Sequence, residues 1–437
     1  MKNKILKLLL ICLAVSPMSF SDAYASKKFM AKLAAAPENE ELSAIIKLGN
    51  LNRAELLYNN RKTYLKSLSN KTAQAQKAVE EYVKREYDAG NITSYRRFYL
   101  INGFLVTGKA GVIRQLLNRP EVQEVHENYL YSMPEVQYAP DTPGTDYVEW
   151  GVAKIQAQKV WERYGYKGNN IRIGHLDTGV DPTHPDIAGK IASWAEFNYI
   201  GRQVAGSVPR DSAQHGTHTA GIILGGNASG KYIGAAPNAK LVSAMVINNG
   251  YGSFAQMIAG LEWVIDPDGN PNTDDGAHLV SMSLGAGGEN EALIEPIENL
   301  IAAGIFPVAS IGNFGPGYTS SPGNIPSCFG VGAVDSNEVV SYFSSGGRVS
   351  WNYQPFIGSW IKPDVCAPGS AVKSALPGGG YGNLSGTSMA CPFVAGSVAL
   401  MLEANKDLTP GQIKTILSLT AKDLGDEGKD TRYGWGM

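Results

Sequence analysis

Five short apolar segments, residues 171–176, 241–247, 279–284, 306–311 and 331–334, alternate with helical patterns at 253–265 and 292–303. Strands without a polar face cannot lie against water, and helices between them cover both sides. This alternation predicts that the second half of the chain is an α/β fold of three layers around a mostly parallel central sheet. Sheets of this kind gather their functional side chains beyond the carboxyl ends of the strands. The residues that directly follow each segment are therefore the ones to inspect.

A length of 437 residues exceeds one ordinary domain, and a boundary is expected near residue 140, where Pro134, Pro140, Asp141, Pro143 and Gly144 crowd together. Before it the order strand, long helix, strand, strand, helix, strand (residues 44–48, 53–88, 95–99, 104–107, 110–117 and 122–127) predicts a small ferredoxin-like α+β unit. Residues 26–146 hold 17 Lys and Arg against 14 Asp and Glu, and residues 147–437 hold 18 against 25, so the two parts carry opposite charge. A net charge of −2 and 43 % apolar residues exclude a disordered chain and give no reason to expect nucleic acid as a partner.

Lys2, Lys4 and Lys7, an apolar run over residues 8–15 and then Ala23-Tyr24-Ala25 have the three regions of a secretory signal, so residues 1–25 predict export. Cys12 reads as apolar filler within it. Cys328, Cys366 and Cys391 are odd in number and lack metal-ligand spacing, which predicts buried free thiols. No stretch after the signal reads as a membrane span, and a soluble monomer is expected.

Three short motifs carry candidate chemistry. Asp177 ends a predicted strand and precedes Thr178-Gly179; alone, it could simply cap a turn. His215 opens His215-Gly216-Thr217-His218-Thr219-Ala220-Gly221, at the start of a helix of small residues. Its pairing with His218 at i, i+3 lacks a third ligand, which argues against zinc. Ser388 lies in Gly386-Thr387-Ser388-Met389-Ala390-Cys391-Pro392, and Pro392 places it at or just before a helix start, where the helix dipole favours developing negative charge. Alone it would be an ordinary N-cap. Together they are the set that a serine nucleophile requires: an imidazole base, and a carboxylate to orient and stabilise the imidazolium.

In the order Asp177, His215, Ser388 the chain resembles the subtilisin-like serine peptidases, the subtilases. The motifs that carry this are His175-Leu-Asp177-Thr-Gly-Val, His215-Gly-Thr-His-Thr-Ala-Gly and Gly386-Thr-Ser388-Met-Ala. The last is not the Gly-x-Ser-x-Gly elbow of an esterase. Residues 44–131, with Leu100-Ile-Asn102-Gly-Phe104 and Val122-Gln-Glu-Val125, resemble the family's propeptide, which is both chaperone and inhibitor. The resemblance implies a signal at 1–25, a propeptide at 26–140 and a peptidase at 141–437.

It further implies that Asn313 stabilises an oxyanion together with the Ser388 N–H, and that Ser283, Leu284 and Gly285 pair with extended substrate. Ser283–Ala286 and Ser310–Gly312 would wall a neutral pocket, with Ser320 near its base and Phe314 at its rim, suited to apolar or aromatic side chains. The expected partners are protein or peptide substrates and the chain's own propeptide. No cofactor is needed for the chemistry. Asp186 matches a family calcium ligand, although Ala228 stands where a second ligand is usual. Phe393 stands where relatives often have His, and relatives normally continue into a closing segment beyond the position of Met437, so either this end is truncated or the peptidase lacks its last element. Self-cleavage is expected between Leu130 and Asp146, beside Tyr131 or Tyr138 in preference to Met133. The same acyl-enzyme could instead serve peptide ligation, and a non-catalytic protein on the same fold is the rival from another class; reaction with a fluorophosphonate separates that one.

Overall fold

The computed structural model describes residues 20–49, 51, 56, 60–133, 135–140 and 144–437. Its centre is a seven-stranded sheet in which every neighbouring pair is parallel. Across it the strands run Val365–Pro368, Phe329–Val334, Phe306–Ser310, Leu279–Met282, Arg172–Asp177, Lys240–Met245 and Ile191–Glu196. The five expected segments form the middle of this sheet. The two edge strands were not expected, because Ile191–Glu196 is only half-buried and mixed in polarity, and Val365–Pro368 contains just four residues. Helices His215–Leu224 and Thr387–Ala404 lie against one another, while Phe254–Ile265 and Ile294–Ala302 join a second apolar layer with Val280, Met282 and Ala309.

Helix Thr387–Ala404 is long and apolar enough to cross a membrane by composition, contrary to the expectation of no such stretch, but 78 % of it is buried inside the protein. It is the helix around which the sheet is packed. Cys328, Cys366 and Cys391 are free and buried, as expected. Cys12 and most of the expected signal lie outside the described residues. Helix Phe20–Ala35 runs through the Ala23-Tyr24-Ala25 step and buries Phe29 and Leu33 against the N-terminal sheet.

That N-terminal sheet has four antiparallel strands in the order Ile92–Phe98, Gly103–Lys109, Glu41–Leu48, Val122–Glu127, the ferredoxin-like arrangement. The start expected for its long helix lies outside the described residues. The helix is described over Arg61–Asp88, where Asn60 caps it by accepting from the Thr63 N–H. Ile45, Leu65, Leu68, Phe98 and Leu100 share one apolar cluster with Phe254, Val264 and Ile297. Tyr64 donates to Asn299 Oδ1 at 2.7 Å, and Asn299 Nδ2 donates to the Leu100 carbonyl at 2.8 Å. The contact is thus largely apolar, with its polar groups paired.

A hairpin of Gly347–Tyr353 and Phe356–Lys362, not foreseen from sequence, delivers Lys362 into the interior. Its ammonium donates to Asp364 at 2.7 Å and to the Cys328 carbonyl at 2.6 Å. Asp364 also accepts from Lys429 at 2.9 Å and from the Gly330 N–H at 2.9 Å. Burial pulls the Lys362 pKa down to about 8, and Asp364 opposes it. Removing the carboxylate strands a buried cation, which costs about 3–5 kcal/mol. Asp364→Ala should lose about that much in equilibrium denaturant unfolding; a loss under about 1 kcal/mol would show the cluster to be solvated.

Candidate active site

Asp177, the last residue of its strand, is 1 % exposed. Its Oδ1 accepts from the Thr178 N–H at 2.7 Å and lies 2.6 Å from His215 Nδ1. Its Oδ2 accepts from the Thr219 hydroxyl at 3.0 Å. The glycines of both motifs follow from this approach. A Cβ on Gly216 would lie 1.9 Å from the Gly179 carbonyl oxygen, and Gly179 itself has φ +111°. Only glycines let the two backbones meet closely enough to bring Asp177 to His215. Burial draws the imidazole pKa down, but the Asp177 charge and hydrogen bond outweigh it and leave it raised. The Asp177 carboxyl is pushed up by burial and, more strongly, down by His215. The other nitrogen, His215 Nε2, is buried and has no partner among the described residues.

Ser388 is the second residue of helix Thr387–Ala404, close to where Pro392 places it, although Pro392 falls in the second turn rather than the first. A proline there has no N–H for the carbonyl four residues back, which is that of Ser388. The Ser283 hydroxyl takes over, donating to that carbonyl at 2.9 Å. Ser388 Oγ in turn makes a long bond of 3.4 Å to the Ser283 carbonyl. Ser283 therefore holds the first turn of the serine helix from the neighbouring strand end.

Asn313 is turned by Thr387, whose N–H and hydroxyl both donate to Oδ1, at 2.9 and 2.8 Å. That leaves Nδ2 as a donor, and its acceptor is the main-chain carbonyl of Glu135 at 2.8 Å. Residues on both sides of Glu135 are extended and paired. Leu130–Ser132 runs antiparallel to Tyr251–Ser253, and the Met133 N–H donates to Gly250 at 2.7 Å. Gln137–Tyr138 runs antiparallel to Leu384–Ser385, and the Ala139 N–H donates to Asn383 at 3.0 Å. Residues 130–133 and 137–139 thus add a strand on each side of the site, with the Glu135 carbonyl between them at Asn313.

Sequence reasoning missed these edges because Tyr251–Ser253 has only three residues and Tyr251 is 60 % exposed. Leu284 is buried in the apolar core, and Gly285 packs against Ser321. Ser310 and Ser320 are buried beside Gly312, and Phe314 is 62 % exposed at the rim. Asp186 is buried, but its two oxygens already accept from the Ala228 N–H and the Tyr381 hydroxyl, each at 2.7 Å. The Lys190 ammonium, bonded to the Leu224 carbonyl at 2.7 Å, acts on the same carboxylate. Calcium needs six to eight oxygen ligands. Each oxygen already has a protein donor, a cation acts on the same group, and Asp186 belongs to no cluster of acidic or histidine side chains among the described residues, so this corner does not fit calcium.

Residues 168–436 match the family model described as the subtilase family. The chain belongs to the subtilases. Bacillopeptidase F of Bacillus subtilis is 31 % identical over 439 residues, covering 92 % of this chain but 30 % of that longer protein. Subtilisin amylosacchariticus of Bacillus subtilis subsp. amylosacchariticus is 32 % identical over 78 % of this chain and 80 % of its own. The alkaline protease of Alkalihalobacillus alcalophilus is 35 % identical over 66 % of this chain and 68 % of its own. This subtilase has the expected α/β architecture, with Asp177, His215, Ser388 and Asn313 carried at the ends of separate strands and helices.

Proposed function

We propose that the protein is an exported serine endopeptidase made as a self-cleaving precursor, with the bond between Glu135 and Val136 as its first substrate. The observation that carries this is the Asn313 hydrogen bond to the Glu135 carbonyl, with antiparallel pairing on both sides of it. Ser388 attacks that carbonyl while His215 Nε2 takes the hydroxyl proton, and Asp177 stabilises the imidazolium that forms. The oxyanion is held by Asn313 Nδ2 and the Ser388 N–H. Collapse breaks the bond to Val136, whose nitrogen receives the proton from His215. Water then hydrolyses the Glu135 ester on Ser388 by the same route. Apart from that water, every step uses only side chains and main-chain groups of this chain.

The bond lies within the expected 130–146 range but beside neither Tyr131 nor Tyr138. Tyr131 is 3 % exposed and donates to the Val246 carbonyl, which makes it an anchor for the segment. Tyr138 lies beyond the bond, paired with Leu384. Glu135 is exposed, so its carboxylate keeps its water and the uncharged pocket walls need not desolvate it. In this reading residues 26–135 are the propeptide, and free protein or peptide substrates take the place of its C-terminal strand once it leaves. The secreted product should begin at Val136 and label with a fluorophosphonate on Ser388. A mature N-terminus elsewhere, or an inert folded product, would remove the reading.

A further inference from the structure

Behind Asp177, on the side away from His215, lies a second imidazole that the mechanism has not used. His175 sits two residues earlier on the same strand and is 1 % exposed. Its Nδ1 lies 3.1 Å from Ser243 Oγ, and its Nε2 lies 2.9 Å from Thr219 Oγ1. Thr219 is the residue whose hydroxyl reaches Asp177 Oδ2 at 3.0 Å, with the Gly216 carbonyl as its alternative acceptor at 3.1 Å. His175 Nε2 itself is 3.7 Å from that oxygen, too far for a direct bond.

Counting protons decides the direction of this chain. Thr219 has one hydroxyl proton. If His175 were protonated on Nδ1, its Nε2 would accept that proton and Asp177 Oδ2 would lose its donor. With the proton on Nε2, Ser243 donates to Nδ1, Nε2–H donates to Thr219, and the Thr219 proton is free for Asp177. Of its two possible acceptors, the ionised carboxylate makes the stronger bond. The fully buried imidazole is neutral, because burial lowers its pKa more than Asp177 and Asp211 raise it.

We propose that His175 is a positioning residue for the triad carboxylate, acting through Thr219 along the buried relay Ser243–His175–Thr219–Asp177. The inference rests on the triad reading above. Asp177 Oδ1 is taken by His215 and the Thr178 N–H, so the relay is what holds Oδ2 and keeps the carboxylate from rotating away from His215. Asp177, Asp211, His175 and His218 are the titratable groups that face His215.

The test compares His175→Leu, Thr219→Val and the double variant with His175→Gln and Thr219→Ser, all as full-length precursors. It reads kcat and KM per fluorophosphonate-titrated site. Each of the two disabling variants should lose about tenfold in kcat, the scale of one hydrogen bond to a charged group, with KM within about twofold. The acid limb of the pH profile should move to lower pH, because a carboxylate no longer held on Oδ2 turns from His215, stabilises the imidazolium less and lets the base lose its proton sooner. The double variant should be no slower than either single one, since both cut the same relay, and Gln and Ser should retain most of the rate. Wild-type kcat with an unmoved acid limb, or losses that add in the double variant, overturns the proposal. Should His175→Leu give no titratable sites, Thr219→Val decides alone. Ser388→Ala separates the two readings: if it stays active the triad itself is wrong, whereas an inactive Ser388→Ala beside a normal Thr219→Val sinks only the relay.

Discussion

Ser388→Ala should remain uncut between Glu135 and Val136 and should lose hydrolysis of casein by about 10⁴-fold or more, the scale on which a triad nucleophile acts. The two losses are expected together because one geometry serves both. Thr387 fixes the Asn313 amide through two hydrogen bonds, and the same amide holds the Glu135 carbonyl. Ser388 follows Thr387 in the same helical turn, and in the proposed reading its hydroxyl attacks the carbonyl that Asn313 holds. His215 Nε2 has no hydrogen-bond partner among the described residues, which leaves it to take a proton. The variant should still fold, because Ser388 Oγ contributes only a 3.4 Å bond to Ser283, while the Ser283 bond to the Ser388 carbonyl is untouched. N-terminal sequencing of wild type and variant, expressed side by side, checks this. A variant cut at the same bond would assign the cut to another protease.

The Asp177–His215 contact and the place of Ser388 at a helix start could be read from sequence because each residue comes with neighbours that its geometry demands. Gly216 and Gly179 permit a backbone contact that any Cβ would block, and Pro392 marks the start of the serine helix. These constraints are local in sequence, so a short motif records them. The relay and the strand edges depend on contacts between distant segments, and no motif records those. His175 sits in a strand whose remaining positions are buried, apart from the half-buried Arg172, and there it passes for one more core residue. Its partners Thr219 and Ser243 come from a helix and a different strand. The proposed cut after Glu135 has no signal in the sequence at all. A neutral pocket pointed to aromatic residues nearby, but the bond presented to Asn313 is selected by how the two flanking strands are anchored, and Glu135 keeps its side chain in water. Asp186 shows the reverse case: the residue type fits a metal, yet in the fold it meets the Ala228 N–H, the Tyr381 hydroxyl and the charge of Lys190, and no cluster of further acidic ligands among the described residues.

Release of the N-terminal unit after cleavage should depend on pH, through Glu262. This residue lies on helix Phe254–Ile265 and is 7 % exposed. Its Oε1 accepts from the N–H groups of Tyr99 and Leu100 at 2.6 and 3.1 Å, and Arg96 stands 3.5 Å from Oε2. All three donors belong to the N-terminal unit. Burial pushes the Glu262 pKa up to about 7, even though Arg96 and the two N–H groups pull it back. A neutral acid satisfies the contact, since its carbonyl oxygen can accept both N–H bonds. Once the unit leaves, Glu262 regains water and an ordinary pKa of about 4.3. The group is thus raised in the complex, so association takes up a proton. Below about pH 4 both states are protonated and this contribution to binding is fully present. It is lost as pH rises through about 7. The freed propeptide should bind the Ser388→Ala catalytic part more weakly at pH 8 than at pH 5, by roughly 10- to 100-fold for a shift of this size. Salt should weaken it further, because Arg96–Glu262 and Lys47–Glu295 both pair the basic unit with the acidic one. Glu262→Gln should bind at pH 8 about as tightly as wild type does at pH 5, and its affinity should not change between them. Calorimetry reads this without involving His215. An affinity that rises with pH, or a Gln variant that follows the wild-type slope, would place the pH response elsewhere in the contact.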